Sequence, residues 1–268
     1  SRMATPFDIR KYQPSDTLYL WWLGDPAHPV PIGTLALIRA SQGVSLRYDA
    51  TWRQSGFALS EDLPLTDVEF LPHVKETAAG AVDDARPDRW GERVIRFLDK
   101  PPRLSLMEYL FFAGDERFGA LGVSVSRDRY QPRAFGPLPR LADVHAIDVL
   151  VRKILDGVAI PRAERQLIAP GVTLGGARPK ALLDVDGHMW VVKFTEPGES
   201  VHLPLIEHAT MTLAAKAGIH VADTFPIALP NGHAVAVRRF DRAGRTRRHA
   251  LSANVALKAA GEALGYPE

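Results

Sequence analysis

The chain has 268 residues and no cysteine. That absence excludes disulfides, thiolate zinc sites, iron–sulfur clusters and cysteine nucleophiles, and it leans toward a reducing compartment, so a cytoplasmic protein is expected. Long apolar runs are also missing. None approaches the ~20 residues that span a bilayer, and Ser1 to Thr5 lack the apolar core of a signal peptide. Net charge is small, with Lys+Arg 33 against Asp+Glu 31 giving +2, so any basic site has to be local. The nine histidines are scattered without a His-Glu-x-x-His pattern, which argues against a dedicated zinc site. What remains, 46% hydrophobic and 24% charged residues, is the composition of a globular protein. Its length suits one or two domains of roughly 100–200 residues each.

Tyr19 to Trp22, Ile32 to Ile38 and Val44 to Tyr48 are short apolar runs parted by Pro- and Gly-bearing turns, the pattern of a small antiparallel sheet. Thr77 to Asp99 and Leu104 to Phe112 have helical spacing and are expected to cover that sheet, with Trp90, Val94, Ile95, Phe97 and Leu98 on one buried face. Phe118 to Val125 reads as a further strand. Gln131 to Arg140 holds three prolines and little periodicity, so the boundary between a first unit (1–135) and a second (136–268) is placed there. In the second unit Leu141 to Leu155 reads as a helix. Two hairpins are then signalled by Asp186-Gly187 and Asn231-Gly232, on either side of a helix over Val201 to Ala217 that Gly218 closes. The fold class is α+β.

Three features of the second unit carry chemistry. Gly175-Gly176 precede the first hairpin in Thr173-Leu174-Gly175-Gly176-Ala177-Arg178-Pro179-Lys180. Glycines let backbone N–H groups close around phosphate oxygens beside a lysine, yet the run matches neither the P-loop nor the Rossmann pattern, and a tight turn into a strand is the more frequent explanation of such a run. Lys193 lies near the end of the next strand, where a half-buried ammonium needs a carboxylate or a phosphate. Glu207 lies in the following helix, on which Leu203, Ile206, Thr210 and Leu213 are read as the inward face. A strand lysine, a helix glutamate and a glycine turn are the parts with which protein kinases hold ATP phosphates. A snorkelling edge lysine and an exposed helix glutamate are the alternative. Six arginines, Arg238, Arg239, Arg242, Arg245, Arg247 and Arg248, crowd around Asp241. They read either as a phosphate- or acid-binding cluster or as a solvated charged turn.

The ordered combination of Gly175 to Leu183, Trp190 to Lys193, Glu207 and Val237 to Arg242 resembles the ATP-binding lobe of the HipA-family toxin kinases. Asp83 to Gly91 and Phe118 to Gly122 resemble that family's N-terminal subdomain. The resemblance implies a small antiparallel N-terminal subdomain with covering helices, followed by a kinase-like N-lobe. It further implies that Gly175, Gly176, Ala177, Arg178, Pro179 and Lys180 form a phosphate loop, that Lys193 contacts ATP phosphates with Glu207 orienting it, and that Arg238, Arg239 and Phe240 line the adenine side. Family members carry Glu where this chain has Arg238. Thr173 stands where the family often has an autophosphorylated serine, although a threonine before a turn is also an ordinary β-former. ATP and Mg²⁺ as cofactors, a type II toxin–antitoxin setting, a DNA-binding antitoxin partner, and a translation component such as an aminoacyl-tRNA synthetase as substrate are implied in the same way.

Phosphoryl transfer also needs a carboxylate to take the hydroxyl proton and Asn and Asp side chains to hold Mg²⁺. The family draws these from an Asp-x-His-x-x-Asn-type loop and a later Asp. After Asp241 this chain has only Glu262 and Glu268 as carboxylates, and Asp83, Asp84 and Asp88 match no catalytic motif. The expectation is a serine/threonine kinase truncated before its catalytic lobe and inactive alone. A non-catalytic module that binds an antitoxin or companion kinase is the alternative. Coding sequence running past Glu268 into an Asp-x-His-x-x-Asn motif would favour the truncated enzyme. The 268-residue chain is expected to transfer no labelled γ-phosphate to protein. Transfer that Lys193→Ala abolishes would overturn this.

Overall fold

A computed structural model describes residues 6–168 and 177–262. Alternating apolar residues form β1 (Thr17–Trp22), β2 (Val30–Ile38), β3 (Gly43–Tyr48) and β4 (Leu121–Ser124), which join as one antiparallel sheet in the order β3-β2-β1-β4. The sheet expected from the first three runs is therefore present, with the fourth run as its far edge. Gly33 is required where β2 meets β3, because a Cβ there would fall 2.2 Å from the Arg47 carbonyl oxygen. Helix α1 (Ala50–Ser55) buries Trp52. Helix α3 (Leu106–Phe112) starts at a Ser105–Glu108 capping box and packs Met107, Leu110, Phe111 and Phe112 into the core of this sheet.

The helical reading of Thr77 to Asp99 holds only for its second half. Gly80–Ala85 is a 3-10 stretch, and α2 (Arg89–Val94) begins after Pro87, running on as a π-helical turn over Ile95–Asp99. A proline disfavours helical backbone in the residue before it; Arg86 is extended at φ −80°, ψ 158°, and Asp88 restarts the helix by accepting from Gly91 N at 2.8 Å. Nor does α2 bury one face on one sheet. Ile95 joins the first core, while Trp90 and Val94, with Phe97 and Leu98 against them, join the second. The same helix therefore belongs to both cores.

The second sheet is built from β5 (Lys180–Val185), β6 (His188–Phe194), β7 (Thr224–Leu229) and β8 (Gly232–Arg238), in the order β5-β6-β8-β7. Asp186 (φ 51°) and Gly187 (φ 75°) are both left-handed, as a two-residue hairpin loop requires. One face presents Ala181, Leu183, Val192, Phe194, Ala234 and Ala236 to α4 (Val144–Leu155) and to Trp90 and Val94 of α2. Lys193 alternates with Val192 and Phe194, so it projects from the opposite face, where α5 (Leu203–Lys216) lies.

Helix α5 is turned the other way from the expected orientation. Leu203, Ile206, Thr210 and Leu213 are exposed. Pro204 is buried, and Glu207 and His208 meet the sheet, His208 Nδ1 lying 2.8 Å from Thr224 Oγ1. Apolar residues occur all round this helix, so their spacing does not decide its inward face; the polar partners on β6 and β7 do.

Beyond β8 the short strands β9 (Arg242–Ala243) and β10 (Thr246–Arg247) pair, and α6 (Ala253–Ala259) follows. This segment returns to the first unit. Arg247 N donates to Gly24 O at 3.0 Å, His249 Nε2 lies 2.7 Å from Leu59 O, and Ser252 N donates to Asp84 Oδ2 at 2.6 Å. Among the described residues no helix is long and apolar enough to cross a membrane.

Trp90, a residue of the first unit, is buried in the core of the second. Trp90→Ala is expected to cost about 3–5 kcal/mol through the cavity it leaves, whereas Trp90→Phe, which loses the indole donor to Lys180 O, should cost about 1–2 kcal/mol. Urea unfolding midpoints of the two variants check the ranking.

Candidate nucleotide site

Strand β6 and helix α5 bring Lys193 and Glu207 together, with Nζ 2.5 Å from Oε1. Both are partly buried, with side-chain exposures of 19% and 32%, so the pair is shielded on the sheet side and open on the other. In that setting the glutamate fixes the lysine's direction while the ammonium keeps donors for an incoming oxyanion. The two residues that sequence spacing singled out are thus partners. Lys193 is flanked on its own sheet face by Val191 and, across the ladder, by Val235 of β8, an apolar floor beside a charged group.

Thr173, Gly175 and Gly176 lie outside the described residues. From Ala177 onward the run enters β5. Pro179 O accepts from Phe194 N at 3.0 Å, and Arg178 is held by Glu199 at 2.6 Å and donates to Phe194 O at 3.2 Å. Lys180 is fully interior. Its ammonium donates to Asp88 Oδ2 at 2.6 Å and to Arg178 O at 2.9 Å, and its carbonyl accepts from Trp90 Nε1 at 2.9 Å. Burial pushes the Asp88 carboxyl up, and the Lys180 charge and hydrogen bond oppose that push. The ammonium of Lys180 is therefore committed inside the chain, unlike that of Lys193.

The segment after β8 alternates in the same way. Arg238 is half-exposed and reaches Asp223 at 3.4 Å. Phe240 is 55% exposed, its ring edge-on to Phe118 with centroids 5.9 Å apart. Arg239, between them, is buried and spends all five donors: Nε and Nη2 on Asp241 (2.9 and 2.6 Å), Nη2 also on Arg117 O, and Nη1 on Glu116 O and Met189 Sδ. Arg239 thus offers an adenine ring no side-chain donor. Asp241 is buried with it and accepts in addition from Gly119 N (2.8 Å) and Arg242 Nη1 (3.0 Å). Arg242 also donates to Gly119 O and Arg117 O, and Arg247 to the carbonyl and carboxylate of Asp115. Half of the arginine cluster is therefore neither phosphate-binding nor solvated; it ties the end of the second sheet to the 115–119 loop of the first unit.

Sequence reading missed Asp88, Asp115, Glu116 and Trp90 as partners of this region. No local spacing links them to it, because each contact joins positions far apart in the chain. The one available signal was the excess of arginines over acids near Asp241, which demands counter-charges from elsewhere if any of it is buried.

A sheet-and-helix unit in which a strand lysine is held by a helix glutamate, docked on a second antiparallel sheet unit, defines the class of arrangement. The model of the HipA N-terminal domain matches residues 27–124, and that of the HipA-like C-terminal domain matches residues 172–267. The chain belongs to the HipA family. Among solved structures, HipA of Shewanella oneidensis MR-1, determined in a toxin–antitoxin complex with HipB and operator DNA, matches with a TM-score of 0.51 and 21% identity. The match covers 84% of this chain and 51% of that one, so the chain spans about half the length of that relative, and the likeness speaks to the fold. No curated protein matches the chain.

Asp241 gives a pH signature. Burial pushes its carboxyl up, but the Arg239 hydrogen bonds and charge, with Arg242, outweigh this and hold it below the usual range. A group depressed in the folded state stabilises fully above its unfolded value, near 3.9, and loses that contribution as pH falls through the lower folded value. Asp241→Asn is expected to cost about 3–5 kcal/mol at neutral pH by stranding two buried guanidinium groups. The gap from wild type should narrow as pH drops below about 4, as read by thermal melts across pH.

Proposed function

We propose that this chain is the nucleotide-holding part of an ATP-dependent serine/threonine protein kinase of the HipA type, working in a type II toxin–antitoxin system with a DNA-binding antitoxin as partner. The observation that carries this reading is the Lys193–Glu207 pair, partly open on the face of β6 that α5 shares. Lys193 would meet the ATP phosphates, Glu207 would keep its ammonium aimed, and the exposed Phe240 beside Arg238 would border the base. The support for an antitoxin partner is the family and the complex in which the Shewanella relative was solved.

The residues fit ATP better than they fit a metal. Among the described residues no group of three or more His, Cys, Asp or Glu side chains could hold an ion, so no step through Mg²⁺ is assigned to this chain. Its own residues bind and orient. The carboxylate that meets Lys193 is Glu207, and phosphoryl transfer needs in addition a proton-accepting carboxylate and metal-holding Asn and Asp side chains. The alternative reading, a binding module without catalysis, draws on the same gap and on the commitment of Lys180 and Arg239 to internal pairs.

The 268-residue chain is expected to bind MgATP in a calorimetric titration, with Lys193→Met and Glu207→Gln each weakening affinity at least about tenfold, a loss on the scale of one charge-assisted hydrogen bond. Unchanged melting temperatures would separate this from unfolding. Failure of the wild-type chain to bind, or variants that bind as well as wild type, would leave the binding module as the reading.

A further inference from the structure

Lys180 and Lys193 stand directly opposite each other in the antiparallel β5–β6 ladder, so their Cβ atoms start on the same face of the sheet, although the Lys180 ammonium ends at Arg178 O and at Asp88 beside α2. Like charges in that position repel. Their fates nevertheless differ: Lys193 pairs with Glu207 and stays partly open, whereas Lys180 is 1% exposed and pairs with Asp88, itself 5% exposed. An ammonium so deeply buried stays charged only with a counter-ion. The acids on neighbouring elements are already engaged, Glu199 with Arg178, Asp184 with Gly187 N, and Glu207 with Lys193. Asp88 is the acid that reaches Lys180, and it arrives from the first unit at the start of α2, where its other oxygen caps Gly91. Trp90, two residues on, holds the Lys180 carbonyl.

We propose that Asp88 is a positioning residue for the nucleotide site: by neutralising Lys180 it keeps that lysine from competing for Glu207 and leaves Lys193 as the single ammonium Glu207 orients. The first unit thereby acts on the phosphate-facing lysine through a buried ion pair, without touching a nucleotide. This inference rests on the ATP reading above for its consequence, while its physical core, the separation of the two lysines' partners, is independent of any ligand.

Asp88→Asn is the discriminating variant, because asparagine caps a helix as well as aspartate does while losing the charge. In the full chain it is expected to weaken MgATP binding about tenfold, corresponding to roughly 1.4 kcal/mol. Asp88→Asn combined with Lys180→Met should return affinity to within about threefold of wild type, since replacing a buried ion pair by neutral groups is often neutral for stability. A capping or packing role would show no such rescue. Asp88→Asn that binds as wild type does, or a double variant as weak as the single one, overturns the proposal. Competitive lysine acylation read by mass spectrometry supplies a ligand-free measurement. Asp88→Asn should raise the labelling of both Lys180 and Lys193, and unchanged Lys193 labelling overturns the proposal even where MgATP binding is intact. If the wild-type chain binds no MgATP, the ATP reading falls and the acylation result alone decides this inference.

Discussion

The contact between the two sheets depends on buried charges that meet their partners there. Arg239, Asp241, Arg242 and Arg247 lie between the two sheets with little or no exposure, and isolated ions there would be costly by several kcal/mol each. They are tolerated because the 115–119 loop supplies carbonyls, a backbone N–H and two carboxylates at hydrogen-bond distance. Such a network contributes little net stability compared with a well-packed apolar contact. It is strict about geometry, however: moving either unit strands a charge. The relative placement of the two sheets is thus enforced by electrostatics and reinforced by the apolar reach of Trp90 and Val94.

The consequences run directly into the site. Arg239 and Asp241 both point inward, so Phe240 between them is turned out and presented beside Phe118. The Asp88–Lys180 pair does the same at the other end of the sheet, withdrawing one of two adjacent lysines and leaving the other to Glu207. The exposed aromatic and the available ammonium are both products of neighbours that have been committed to the interior. Residues of the first unit that never face a ligand, Asp88 and Trp90 among them, therefore shape the candidate site.

Much of the fold was legible from local chemistry. Asp186-Gly187 and Asn231-Gly232 specify hairpins because two-residue loops need left-handed backbone that these residues adopt cheaply. The pair Lys193–Glu207 was also legible, since a lysine in a half-buried strand needs a partner and the next helix offers one. The start of α2 was misplaced where Pro87 interrupts a spacing that otherwise looked helical, and the orientation of α5 was missed because its apolar residues surround it. In both cases a periodic pattern was read without the backbone restriction or the polar contacts that override it.

By itself, then, the sequence determined most of the strands, their hairpin pairings and the two candidates for a lysine–glutamate pair, all consequences of interactions between residues near one another in the chain. Only the tertiary structure decided which lysine is available and which arginines are spent. Those outcomes turn on desolvation, which depends on what covers a side chain, and here the covering residues, Asp88, Trp90, Asp115 and Glu116, come from the far half of the molecule.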